Sequence, residues 1–345
     1  MGFEERGKRT NLKELSRQPE RLAPGHRMCS GCAEAVIVRQ ILHAIEEPVV
    51  VATPTGCLEI TTAIFPYTAW RVPWIHSAFE TAASIISGVE AAYRSLKRQG
   101  KIDDRVIRFV VFAGDGATYD IGFQWLSGAL ERGHRFLYVC LNNEAYMNTG
   151  TQRSGATPKA AWSTTTPVGK AMAGKIQHRK DMTAIVAAHN IPYVAQAAPH
   201  AWQDLMRKVK KGISADGPAF LNVLSPCPRG WRYDPKDLNR LSRLAVETCV
   251  WPLYEVEEGE WRLNYQPKTK RPLTDWFASQ GRFSHLLSPG YEDLVAALQS
   301  QVDLDWARLQ RRCRQEGLEE EPTPSYPREP FATSLTMEIE PSGPN

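Results

Sequence analysis

The chain has 345 residues, of which 42% are apolar and 23% charged, and a formal net charge of +4. That length builds one large or two ordinary domains with a core, and the small basic excess, dispersed and without RRM, KH or zinc-finger spacing, does not point to nucleic acid. No apolar run approaches the roughly 20 residues that span a bilayer, and the charged N-terminal stretch lacks the apolar segment of a secretory signal, so no membrane role is expected and the expected compartment is the cytoplasm.

Residues 1–20 read as a charged leader. After Cys29-Ser30-Gly31-Cys32, a helix is predicted over Ala33–Ile45 and a strand over Pro48–Ala52. A long helix, Ser77–Gln99, ends at Gly100, and a strand follows over Val106–Ala113. The helix Gly122–Arg132 stops at Gly133 and leads to a strand at Phe136–Leu141. Tyr193–Ala197 and Ala219–Leu224 read as strands on either side of a helix, His200–Lys211, that is expected to stop at Gly212. Glycine just past a periodic segment is a helix-stop signal. The strand-like runs are short and apolar without alternation, as buried parallel strands are. The expected fold is α/β: a mostly parallel sheet with helices on both faces.

This domain is placed at 21–228. Residues 229–315, rich in Trp and Tyr among charges and prolines, are expected to form a C-terminal extension that wraps over the core or a partner. The acidic, Pro-rich stretch 316–345 reads as a flexible tail.

In an open parallel sheet, ligands bind beyond the carboxyl ends of the strands. Four such ends carry Gly56-Cys57, Gly114-Asp115-Gly116-Ala117, Asn142-Asn143-Glu144-Ala145-Tyr146-Met147-Asn148 and Ser225-Pro226-Cys227-Pro228. Asp115 offers a carboxylate to Mg²⁺, which binds through one or two carboxylates plus phosphate oxygens. Gly114 and Gly116 let the backbone approach a diphosphate, and Asn143 offers an amide oxygen. Gly-Asp-Gly alone reads equally well as a tight turn, and Asn-Asn alone as a polar loop. Joined through one helix and one strand, they form the pattern with which thiamine-diphosphate enzymes hold Mg²⁺ and the cofactor's diphosphate. No G-x-G-x-x-G turn supports a dinucleotide site.

Seven cysteines in a chain with no signal argue against a disulfide framework. Cys140 lies in an apolar strand and reads as core. Cys29, Cys32, Cys57 and Cys227 sit at loop positions beside Gly or Pro. Four thiolates suit a [4Fe–4S] cluster, although a zinc site and no metal at all stay open on the residues alone.

Several segments also resemble a known family: HRMCSGCAEAVIVRQ, PTGCLEITTAIFPYTAWRVPWIHSAFETAAS, FAGDGATYDIGFQWLSGALERG, LNNEAYMNTGTQRSGATP and SPCPRGWRYDP, followed by LAVETCVWPLYE and QGRFSHLL. They resemble, in family order over roughly residues 20–287, the β subunit of pyruvate:ferredoxin oxidoreductases. Ala33, where some members carry Gly, and Thr151 depart from part of the family.

The resemblance implies a [4Fe–4S] cluster on Cys29, Cys32, Cys57 and Cys227, close to thiamine diphosphate. It implies Mg²⁺ on Asp115, Asn143 and the carbonyl of Ala145. Gly114, Gly116 and Ala117 would contact the diphosphate. Glu34 and Cys57, with Glu144, Tyr146 and Met147 of the Asn143 loop, would border the cofactor. Asn148 would lie by the reactive carbon and the substrate as the catalytic residue. As bland alternatives, Glu34 is a first-turn helix acid and Asn148 a turn residue.

The implied reaction is the coenzyme A-dependent oxidative decarboxylation of pyruvate to acetyl-CoA and CO₂, or its reverse, with electrons passing through the cluster to ferredoxin or flavodoxin. The implied partners are α, γ and δ-type subunits, without which the chain would be inactive. Competing readings are the same chemistry on 2-oxoisovalerate or oxalate, a non-redox thiamine decarboxylase or synthase, and a zinc-stapled assembly subunit. His76 is a further candidate to face the cofactor, Trp70 and Trp74 are expected in a core or interface, and the run Arg207–Lys211 on a solvated helix face.

Overall fold

The computed structural model describes residues 11–314. A single turn, α1 (Leu12–Leu15), precedes α2 (Ala33–Ala44), β1 (Val49–Pro54), α3 (Cys57–Thr62), β2 (Trp74–Ser77) and α4 (Ala82–Arg98). Then come β3 (Arg108–Gly114), a π-helical turn (Gly116–Ile121), α5 (Phe123–Glu131) and β4 (Leu137–Asn142). After a long irregular segment follow α6 (Met182–Ala187), β5 (Tyr193–Ala197), α7 (Trp202–Ser214), β6 (Ala219–Leu224), α8 (Pro228–Trp231) and α9 (Leu238–Glu247). The chain continues with β7 (Tyr254–Glu257), β8 (Glu260–Leu263), α10 (Leu273–Ala278) and α11 (Glu292–Cys313).

The strands form one eight-stranded sheet in the order β2-β1-β3-β4-β6-β5-β7-β8. The first six in that order run parallel, and β7 and β8 add antiparallel to the β5 edge. Every residue of β4 and β6 is buried, which requires cover on both faces. On one face α2 and α7 pack Ile37, Ile41, Leu205 and Val209 against Val51, Val110 and Val139. On the other, Ile86, Leu126, Val186 and Leu309 from α4, α5, α6 and α11 meet Val111, Tyr138 and Phe220. The described residues through Cys313 form one compact unit.

Residues beyond β6 build a third apolar cluster around Trp231, Trp251, Trp276 and Phe283. Part of the segment expected as a wrapping extension therefore lengthens the sheet itself. The expectation for 316–345, and that for 1–10 of the leader, lie outside the described residues.

Four local expectations need correction. The helix predicted from Ser77 starts at Ala82, because Trp74–Ser77 is a strand paired with β1. Four residues are too few to show a period, as with β7 and β8. Helix α7 runs through Gly212 to Ser214. A Cβ on Gly212 would lie 3.1 Å from Leu137 and 3.3 Å from Ala219, so this glycine allows close packing on the sheet and does not stop the helix.

The run Arg207–Lys211 is not a wholly solvated face. Lys208 is buried and its Nζ donates to the carbonyl of Gln196 at 2.8 Å and to Asp204 at 2.6 Å. Cys57 and Cys227, expected in loops, sit at helix starts: Cys57 is the first residue of α3, and Cys227 caps α8.

Candidate cofactor and metal site

Because β1, β3, β4 and β6 are neighbours in the sheet, the segments after them share one edge. Those after β1, β3 and β4 enclose, with Glu34, a cleft of about 100 Å³ lined by Cys57, Gly114, Asp115, Gly116, Asn143, Ala145, Tyr146, Met147 and Asn148, among others; the segment 225–228 after β6 is not in its lining. A larger cavity of about 480 Å³, lined by Arg179, Trp251 and Trp261 among others, contains none of these residues. The smaller one brings together Glu34, Cys57, Asp115 and Asn143, while Cys29, Cys32 and Cys227 are not in its lining.

Asp115 directly follows β3 and caps the π-helical turn. It is fully buried; Oδ2 accepts from the Ser154 hydroxyl, while Oδ1 has no partner. Burial pushes its carboxyl up to about 8. Across the cleft Glu34, in the first turn of α2, accepts from Asn143 Nδ2 at 3.2 Å through Oε1, and its buried Oε2 has no partner. Burial raises Glu34 to about 7. Two buried carboxyls, each with a free oxygen, face a cleft that holds no cation of its own. Such a pair draws either protons or a metal ion.

Gly116 has a steric reason. A Cβ there would overlap the ring of Tyr146, whose hydroxyl donates to Asp120 at 3.1 Å. Ala117 is buried inside the turn, away from the cleft lining. Asn148 lies exposed at the mouth.

Glu144 points elsewhere. Its backbone is left-handed, with φ 66°, a conformation that costs a non-glycine residue about 1–3 kcal/mol. Its carboxylate turns from the cleft to Arg282 at 2.5 Å and Arg179 at 3.1 Å.

The cysteines cluster beside Glu34. Cys32 caps α2 and Cys227 caps α8, with the Cys227 sulfur accepting from the amide of Gly230 at 3.4 Å. The thiols of Cys32, Cys57 and Cys227 are all pushed up, first by burial and then by Glu34 and one another. Cys29 acts on Cys57 and Cys227 in the same way. Among the described residues, no three His, Cys, Asp or Glu side chains come close enough to share a single ion. His76 is exposed and faces Glu59 at 3.2 Å, outside the cleft. Trp70 is buried and stacks on Trp74 at 6.4 Å.

Sequence reading passed over Ser154, Trp231, Tyr233 and Arg282. Trp231 Nε1 donates to the carbonyl of Asn143 at 2.8 Å, and the Tyr233 hydroxyl donates to that of Pro226 at 3.1 Å. The QGRFSHLL segment held the only signal for Arg282, and nothing marked its role.

A family profile described as the thiamine pyrophosphate enzyme C-terminal TPP binding domain matches residues 54–223. The Pyruvate synthase subunit PorB of Thermotoga maritima is 48% identical over 309 residues, covering 87% of this chain and 95% of that protein. The PorB subunit of Methanocaldococcus jannaschii is 50% identical over 274 residues, covering 79% and 92%.

This chain belongs to the PorB family of pyruvate synthase subunits.

The family also meets a neighbouring one: the Ketoisovalerate oxidoreductase subunit VorB of Pyrococcus abyssi is 41% identical, covering 85% of this chain and 93% of that protein. A solved 2-oxoglutarate:ferredoxin oxidoreductase from Magnetococcus marinus, with 2-oxoglutarate, coenzyme A and succinyl-CoA bound, shares the fold. Its TM-score is 0.52 at 19% identity, covering 85% of this chain and 97% of that one. As a PorB-family member the chain is an oxidoreductase subunit with a thiamine-diphosphate-binding domain, of the class that acts on 2-oxoacids with partner subunits. Among the described residues no helix is long and apolar enough to cross a membrane.

Proposed function

We propose that this chain is the thiamine-diphosphate-binding, iron–sulfur-carrying subunit of a pyruvate:ferredoxin oxidoreductase. The complex converts pyruvate and coenzyme A to acetyl-CoA and CO₂, or runs the reverse, and exchanges electrons with ferredoxin or flavodoxin in the cytoplasm. The observation that carries this reading is the fully buried Asp115 carboxylate, with Oδ1 unpartnered, in one cleft with Cys57.

The residues fit the implied groups. Asp115, the Asn143 amide oxygen and the Ala145 carbonyl hold Mg²⁺, which takes oxygen ligands. Gly114 and Gly116, which line the cleft, give the diphosphate a backbone approach. Cys29, Cys32, Cys57 and Cys227 hold the [4Fe–4S] cluster. Three of them stand at helix starts.

Thiamine diphosphate, when bound, supplies an electron sink for decarboxylation, and the cluster takes electrons singly. The chain's own residues bind, orient and shield. Glu34 fixes the orientation of the Asn143 amide and holds a proton near neutrality. Tyr146 and Met147 wall the cleft, and Asn148 at its mouth meets the substrate. The enclosed space of about 100 Å³ is small beside the roughly 300–1,000 Å³ of ordinary ligand sites, which supports a partner subunit covering the rest of the cofactor.

Anaerobic isolation with co-purifying subunits tests the reading. A brown complex with about four irons and one thiamine diphosphate per copy of this chain is expected; a complex with zinc or without thiamine would refute it. The VorB relative favours one second reading, 2-oxoisovalerate as substrate. Relative kcat/KM on pyruvate, 2-oxoisovalerate and oxalate decides between them.

A further inference from the structure

Arg282 brings the C-terminal part of the chain to the Asn143 loop. It is 2% exposed and lies in the 3₁₀-helical segment Gly281–Leu287. Its Nη2 donates to Glu144 Oε2 at 2.5 Å and its Nε to Gln280 Oε1 at 2.6 Å. Its guanidinium lies 3.9 Å from the centre of the Trp231 ring. That ring's N–H is the donor to the Asn143 carbonyl.

Every polar atom of Glu144 is occupied. Its amide donates to Asn142 Oδ1 at 3.1 Å, its carbonyl accepts from Thr157 Oγ1 at 2.6 Å, and Oε1 accepts from Arg179 at 3.1 Å. The left-handed turn at Glu144 separates Asn143 from Ala145, the two loop donors. A buried carboxylate at such a point stays put only while its charge is matched. Arg179 matches it partly: it is half-buried, also donates to the Val250 carbonyl, and lies over Trp251. Of the two arginines, it is Arg282 that touches both Glu144 and the ring that holds Asn143.

We propose that Arg282 is a positioning residue for the metal: it holds Glu144 in the left-handed turn and thereby presents the Asn143 amide and the Ala145 carbonyl as a pre-set pair of oxygen donors. This rests on the reading that the loop binds Mg²⁺. Glu144 then belongs to the support of the metal site and makes no contact with the cofactor.

The test uses the assembled enzyme, purified anaerobically and stripped of Mg²⁺ and thiamine diphosphate. Wild type, Arg282→Met, Arg282→Lys and the double variant Glu144→Gln/Arg282→Met are compared by thermal melt, iron content, EPR and titration with Mg²⁺ and thiamine diphosphate. Loss of an outer-shell partner commonly weakens metal binding about 10–100-fold. Arg282→Met and the double variant are expected to bind Mg²⁺ at least about tenfold more weakly, with iron content and EPR signal unchanged.

Arg282→Lys keeps the charge but not the planar fork, so its affinity should fall between wild type and Arg282→Met. Where Arg282→Met fails to assemble because Glu144 is left charged, the double variant, which removes both charges, gives the answer. Where that too fails, Arg282→Lys does: wild-type Mg²⁺ affinity in it would overturn the proposal. So would a double variant that binds Mg²⁺ as wild type does, whatever its melting temperature. Wild-type enzyme that binds neither Mg²⁺ nor thiamine diphosphate would instead overturn the metal-site reading beneath it.

Discussion

Trp231 donates its indole N–H to the carbonyl of Asn143 at 2.8 Å, joining the helix capped by Cys227 to the loop that follows β4. The indole is fully buried and Asn143 is itself buried, so the bond sits in a largely water-poor setting. Trp231→Phe keeps most of the ring packing and deletes the donor. Leaving one buried acceptor unpaired costs about 1–3 kcal/mol. Chemical denaturation should show a loss of that size, and Mg²⁺ titration a weakened site, with iron content retained. Stability and Mg²⁺ affinity both equal to wild type would remove Trp231 from the site's support.

Asp115 predicts a pH dependence of opposite sign for folding and for metal binding. Its carboxyl titrates near 4 in the unfolded chain and is raised to about 8 by burial in the fold. The metal-free folded state therefore holds the extra proton between these values. Its stabilising contribution is fully present below pH 4 and is lost as pH rises toward 8. Mg²⁺ must displace that proton, so its apparent affinity rises from pH 6 to 8 and then levels. Calorimetry in two buffers of different ionisation enthalpy should detect proton release at pH 7; a pH-independent Kd would contradict the assignment. Asp115→Asn should raise the melting temperature of the metal-free protein at pH 8 while weakening Mg²⁺ and thiamine diphosphate binding at least about tenfold.

Cys57 is the one cysteine among the residues that line the cleft. Cys57→Ala should abolish the iron–sulfur EPR signal of the assembled enzyme and lower its iron content, while Mg²⁺ and thiamine diphosphate still bind. The Cys140→Ala variant is the control: its thiol is fully buried within β4, and its loss should leave the EPR signal intact. An unchanged signal in Cys57→Ala would exclude that sulfur as a ligand.

The parallel sheet was legible because buried parallel strands are continuous apolar runs. Tyr193–Ala197 and Ala219–Leu224 match β5 and β6 end for end. β2, β7 and β8 were not legible, because four residues hold no period and their identity comes from a neighbour's hydrogen bonds. The cleft could be read for the same reason that it exists: a parallel sheet gathers the ends of β1, β3 and β4 at one edge. The direction of a side chain could not. Glu144 stands between two residues that line the cleft, yet it turns away because Arg282, 138 residues later in the chain, is buried on its other side. No local pattern encodes that pairing.

Two glycines near the site separate steric demand from cofactor contact. A Cβ on Gly122 would overlap the carbonyl oxygen of Ala117 and lie 2.9 Å from that of Glu80. Both are backbone atoms and neither can swing aside, so Gly122→Ala forces the π-helical turn to shift. A cost of about 1–3 kcal/mol, typical of overpacking, is expected in chemical denaturation. A Cβ on Gly116 meets the Tyr146 ring instead, a side chain that can rotate once its bond to Asp120 breaks. Gly116→Ala should therefore cost less stability and more cofactor affinity, because the displaced ring fills the cleft that it now borders. Thiamine diphosphate titration of both variants in the assembled enzyme checks the contrast. Equal affinity losses would mean that Gly116 serves the turn alone, and a Gly122→Ala variant as stable as wild type would show that the turn yields more readily than its backbone contacts imply.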